Sequence, residues 1–135
     1  MALQLSVAVR NAMLDAIEST IGTSAVLKIR TGAPPASVAT ADSGTVLATL
    51  TLPSDWMAGA SSGSKAKSGT WEDASADAAG TAAHYRIYAS DGTTAHLQGT
   101  VTATGGGGDL TVDNVVFAAG QSFTITSYSW TAANS

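Results

Sequence analysis

Residues 6–21 place Val9, Ala12, Met13, Ala16, Ile17 and Ile21 at helical spacing, with Asn11, Asp15, Glu18 and Ser19 on the opposite side. The pattern predicts one amphipathic helix. Ser6 stands where an N-cap belongs, and Gly22 where a left-handed C-terminal cap belongs. Such a helix either closes one end of a β core or serves as a docking arm for a neighbouring subunit. In the second role Val9 and Met13 are candidate contact residues.

After Gly22 the period becomes two. Ala25, Leu27 and Ile29 alternate with Val26, Lys28 and Arg30, and Val46, Ala48, Leu50 and Leu52 with Thr45, Leu47, Thr49 and Thr51. Tyr85, Ile87 and Ala89 alternate with His84, Arg86 and Tyr88. The clearest run is Ala95, Leu97, Gly99, Val101 and Ala103 against His96, Gln98, Thr100, Thr102 and Thr104. Two more strands are expected over 110–117 and 122–130. In the last, Phe123 and Ile125 share one parity and Tyr128 and Trp130 the other, which predicts a bulge or twist near Ser127. Asp91-Gly92 is a two-residue hairpin signal. It would set Ser90 opposite Thr93, His84 opposite Gly99 and Ile87 opposite His96.

Short strands and frequent turns predict an all-β fold: an antiparallel β-sandwich, jelly-roll-like, with one N-terminal amphipathic helix. A single domain over 1–135 is expected, with the helix over about 6–21 and the sandwich over about 24–131. Two long loops interrupt it. Residues 31–44 contain Pro34-Pro35, which favours an extended path. Residues 53–81 are mostly small and polar, with Trp56, Met57 and Trp71 embedded in them. Stretches of this length without regular structure are usually functional or disordered, and two tryptophans argue for order. The tryptophans and tyrosines are either a sugar-stacking platform or core and interface anchors. Trp56, Met57, Trp71 and Trp130, with Val9 and Met13, are the candidate protein-interface residues.

Composition narrows the function. The chain has 135 residues, no cysteine and a net charge of −4, so disulfides and thiolate metal sites are excluded and a polyphosphate partner fits poorly. No nucleic-acid partner is expected. Charged residues make up 12%, about half the usual share, and a surface poor in charge is less costly to desolvate against other protein. No apolar run approaches the roughly 18 residues a membrane span needs, so no membrane association is expected. The N-terminus lacks the basic region of a secretory leader, so synthesis and release in the cytoplasm are expected.

The stretch Thr104–Leu110, TGGGGDL, resembles a phosphate cradle. A P-loop, however, ends in lysine and a hydroxyl residue, and a dinucleotide site leads into a helix. Here Asp109 would repel phosphate and Leu110-Thr111-Val112 continues as strand. A flexible loop tip is the expectation. His84 and His96 should face opposite sides of their hairpin, leaving no Ser-His-Asp constellation. Glu72, Asp73 and Asp77 form the one acidic cluster, read as a solvated loop rather than a calcium site. No catalytic, cofactor-binding or metal-ligating residues are assigned, and no cofactor is expected.

The runs LPSDWM, SGTW and YRIYASDGTTAHLQGTV, with TGAPP before them, give the chain its particular character. Through them it resembles small virion structural proteins of tailed bacteriophages, and it is similar to capsid decoration, or cement, proteins. That resemblance implies a non-enzymatic protein on the outer capsid surface, made in the host bacterial cytoplasm. Its implied partners are the major capsid protein and further copies of itself, as homodimer or homotrimer. A tail, collar or fibre module, or a carbohydrate-binding β-sandwich on the virion surface, is the alternative.

Overall fold

Ser6 starts the helix as its sequence position suggests, its Oγ accepting a hydrogen bond from the Val9 amide at 3.2 Å. In the computed structural model, which describes residues 3–132, helix α1 spans Val7–Ile21. Gly22 ends it with φ +94° and donates its amide to Glu18 O. Eleven strands follow among the described residues: β1 Val26–Arg30, β2 Val46–Thr51, β3 Ser64–Ala66, β4 Trp71–Asp73, β5 Gly80–Thr81 and β6 His84–Tyr88, then β7 Ala95–Ala103, β8 Leu110–Val112, β9 Val116–Phe117, β10 Phe123–Ile125 and β11 Ser129–Thr131. The protein is mostly β with one N-terminal helix.

The main sheet has five strands in the order β2-β1-β6-β7-β8. Three two-stranded ladders, β4 with β10, β3 with β11 and β5 with β9, accompany it. They account for the stretch 53–81. It is not an irregular loop throughout: 64–66, 71–73 and 80–81 are short strands, each paired with the C-terminal third of the chain, and the rest connects them. Strands this short leave no countable alternation.

Pairing is antiparallel in the main sheet except between β7 and β8, which run parallel with Val101 opposite Leu110 and Ala103 opposite Val112. The antiparallel expectation fails there because of the four glycines. Parallel neighbours ordinarily need a crossover of a dozen residues or more, and here the return takes only 104–109. Gly105 and Gly107 adopt φ +89° and +80°, which L side chains resist. Gly106 and Gly108 pack on Thr102, and the Gly108 amide donates to Thr102 Oγ1 at 3.0 Å. Asp109 closes the return by accepting from the Thr100 amide at 2.9 Å. The run expected as a flexible loop tip is a packed reversal.

The β6–β7 hairpin keeps the register set by its turn at Tyr88 opposite Ala95, then shifts by one at a bulge. His84 consequently opposes Thr100, not Gly99, and Tyr85 opposes Gly99. The new register has a steric reason. A Cβ on Gly99 would lie 2.8 Å from the Tyr85 ring, so the glycine provides the space the ring fills. The strand expected over 122–130 is two strands, β10 ending at Ile125 and β11 starting at Ser129 with different partners, so the parity change near Ser127 marks a break and not a bulge. The strand expected over 110–117 divides likewise into β8 and β9.

All five residues of β6 are buried, so both faces of the sheet centre are covered. One face carries the apolar core, including Leu27, Ile29, Leu50, Tyr85 and Ile87. Over the other lies the segment 31–45, bound to the sheet by ion pairs and hydrogen bonds. Arg86 donates to Asp42 Oδ1 at 2.8 Å and to the Ser37 and Thr40 carbonyls, while Arg30 reaches Asp42 Oδ2 at 3.0 Å. Tyr88 donates to Asp42 Oδ1, and Gln98 donates to the Pro35 carbonyl at 2.7 Å. The segment is a fastened strap.

Candidate interaction surface

The helix turns a different face inward from the one its periodicity suggests. Leu14 and Ile21 are buried and Ile17 packs against the core, but Val9 and Met13 are 45% and 50% exposed, and Ala12 and Ala16 are also on the outside. The side expected to face water carries the docking contacts. Asn11 accepts from the Gly63 amide at 2.8 Å, Asp15 from the Ala60 amide at 3.1 Å, and Glu18 from the Met57 amide. Lys65 of β3, whose side chain is 2% exposed, donates to Asp15 at 2.7 Å and to Glu18 at 2.8 Å.

Burial on its own lowers the Lys65 pKa. Its hydrogen bonds to the two carboxylates outweigh that, and the net value stands above that of an ordinary lysine. A raised lysine pKa stabilises the fold below its unfolded value and loses that contribution as pH rises through the folded one. Lys65→Met is therefore expected to cost about 1–2 kcal/mol, kept small because Asp15 and Glu18 can rehydrate. Hydrogen exchange checks it: protection should fall across α1 and stay unchanged in β1 and β6. Unchanged protection in α1 would remove Lys65 from this role.

With its polar side engaged, the helix presents Val9, Met13 and Ala16 to solvent. The stripe runs into a recess of about 310 Å³ lined by Met13, Ala16, Ile17, Thr20, Ile21 and His96. A stripe of this kind is the opposite of what a helix closing a core requires. Sequence spacing found Val9 and Met13. It did not find the reason they are free, which lies in the demand of buried Lys65 for carboxylates.

The other four candidates go elsewhere. Trp56, Met57 and Trp71 are at most 1% exposed, so none of them can meet a partner in this conformation. Trp56 donates its indole N–H to Gly22 O at 2.9 Å and packs between Trp71, tilted at 6.0 Å, and Trp130, edge-on at 5.7 Å. A sugar platform cannot be built on Trp56 and Trp71. Trp130 is half-buried at the edge of the same cluster, 6.0 Å from Tyr128.

The chemistry-bearing residues are also structural. His84 is fully buried, and its Nδ1 bonds Gly32 O at 2.7 Å. Since a carbonyl only accepts, Nδ1 carries the proton. His96 borders the helix with Met13, so the imidazoles do not converge. Glu72 and Asp77 are exposed, as a solvated acidic cluster would be, but the cluster is fastened rather than loose. Asp73 accepts from the Thr49 amide at 2.9 Å and Asp77 from the Thr49 hydroxyl at 2.7 Å, blunting the outer edge of β2. Among the described residues no group of three or more His, Asp or Glu side chains is placed to hold a metal ion, and no helix is long and apolar enough to cross a membrane.

No family model matches the sequence, and neither a curated protein nor a solved structure matches it.

Proposed function

We propose that this chain is a non-enzymatic structural protein of a tailed-phage virion, acting as a capsid decoration protein on the outside of the head. In this reading the main sheet and the small ladders are the two layers of a jelly-roll-like sandwich. The major capsid protein is the partner, and copies of the chain associate as dimers or trimers at symmetry axes. The observation that carries the proposal is the outward apolar stripe of α1, held in place by the polar contacts beneath it. Together with the resemblance of LPSDWM, SGTW and YRIYASDGTTAHLQGTV, it supports a protein whose work is attachment. Many copies each making a modest contact bind a lattice tightly.

The test is to add purified protein to heads that lack it, then measure attachment and resistance to heat. Attachment with a raised disruption temperature is expected. Copies found along the tail, in tens rather than hundreds per particle, would move the chain to the tail, collar or fibre class. Met13→Glu and Val9→Asp should weaken attachment about tenfold or more, since a charge would have to be desolvated. Both positions are exposed, so the melting temperature should stay within about 2 °C. Attachment equal to wild type would exclude the helix as the contact.

A further inference from the structure

Strand β11 pairs with β3 on one side and, among the described residues, has no strand on the other. Its neighbours fix which residues face the open side. Lys67 donates its amide to Tyr128 O, and the Ala132 amide donates to Gly63 O. Tyr128 and Ala132 thus turn their backbone toward β3, and by strand alternation Ser129 and Thr131 turn theirs away. Both are exposed.

The open edge borders a recess of about 370 Å³ whose wall includes Leu14, Ile17, Leu97 and Trp130, with Tyr85 and Tyr128 also lining it. Tyr85 Oη and Tyr128 Oη lie 2.6 Å apart, and Trp130 donates its indole N–H to Tyr128 Oη at 2.8 Å. One hydroxyl hydrogen is used between the tyrosines. The other has no acceptor among the described residues, so a donor is left at the recess. Burial raises the pKa of both tyrosines, which keeps them protonated. Asp109 stands on the rim and forms no ion pair among the described residues.

We infer that the edge of β11 and this recess form a strand-addition site for an extended segment of another polypeptide, one carrying an apolar residue for the recess and a basic residue for Asp109. The segment would exchange backbone hydrogen bonds with Ser129 and Thr131, which supply affinity, while the recess selects the side chain. A second copy of this chain is the less suitable occupant. It would carry the same net charge of −4 and bring its own Asp109 toward the site. The site is separate from the outer face of α1, so it stands or falls independently of the capsid reading.

The probe is a capped heptapeptide of alternating threonine and valine with lysine at each end, titrated into the full-length isotope-labelled protein. Saturable amide shifts are expected at Ser129, Thr131 and Leu97, with slowed hydrogen exchange at Ser129 and Thr131. A glutamate-flanked version, and one N-methylated on the amides facing β11, should each bind about tenfold more weakly. The N-methyl arm needs no change to the protein. Thr131→Pro, which removes an outward N–H that β3 does not use, should abolish the shifts and leave the β1 and β6 amides unmoved. Three results would each overturn the inference: no shift at millimolar peptide, binding indifferent to N-methylation, or concentration-dependent self-association through β11 in place of peptide binding.

Discussion

Gly108→Ala should lower the stability of the protein by about 3 kcal/mol, a severe loss for a surface glycine. An added Cβ would stand 2.8 Å from Thr102 Oγ1, 2.9 Å from its Cγ2 and 2.9 Å from its backbone nitrogen. The hydroxyl can rotate, but the backbone nitrogen belongs to β7 and cannot yield without disturbing the pairing with β8. Gly106→Ala meets Thr102 Cβ at 2.8 Å and Ala103 O at 3.0 Å and should lose a similar amount. Gly105 and Gly107 form a built-in contrast. Nothing lies within 4 Å of a Cβ at either position, so alanine there meets only the unfavourable positive φ, about 1 kcal/mol each. Urea unfolding of the four single variants would show the two classes. Equal small losses at all four would mean that the return is loose after all.

Asp42→Asn is the second change expected to have a large effect. The carboxylate takes hydrogen bonds from Arg30, Arg86 and Tyr88, and the two arginines have only 8% and 2% of their side chains exposed. Removing one partner of a buried pair usually costs about 3–5 kcal/mol. Asp42 itself is 38% exposed, so water screens part of the interaction, and about 2–3 kcal/mol is the expectation. Burial pushes the Asp42 pKa up. The Tyr88 hydrogen bond and the two guanidinium charges outweigh it, and the net value lies below that of an ordinary aspartate. A depressed carboxylate pKa stabilises the fold above its unfolded value of about 3.9 and loses that contribution as pH falls through the folded one. Asp91, held to a pKa of about 2 by Thr94 and Thr93, acts in the same direction. Wild type should therefore lose stability steeply below about pH 4, and Asp42→Asn should show a shallower acid limb. Parallel acid limbs would show that the strap is fastened by something other than Asp42.

The contrast between helix and loops explains what the sequence could disclose. Ser6, Gly22 and the alternation in β1, β2, β6 and β7 are local signals, and each element formed where they indicated. The inward face of α1 was not local. It depends on Lys65, some fifty residues away, being buried beside Asp15 and Glu18. The same holds for β3, β4 and β5, whose partners lie near the C-terminus, and for the hairpin register, which yields to the fit of Tyr85 over Gly99. Among the candidate contact residues, Val9 and Met13 could be found by spacing. Trp56, Met57 and Trp71 have the composition of anchors, and only packing shows that what they anchor is this chain's own core.

The packed return between β7 and β8 has a consequence for how the chain assembles itself. Leu110 finds Val101 after nine residues, and β6 finds β7 across one turn. By contrast, Ser64 must wait for Thr131 and Trp71 for Ile125. Closing a short loop loses little chain entropy, and closing a long one delays pairing. The segment from His84 to Val112 can therefore organise first and act as the template. The glycines that permit the reversal would then govern the rate at which the chain folds, and substitutions at Gly106 or Gly108 should slow refolding more than they speed unfolding.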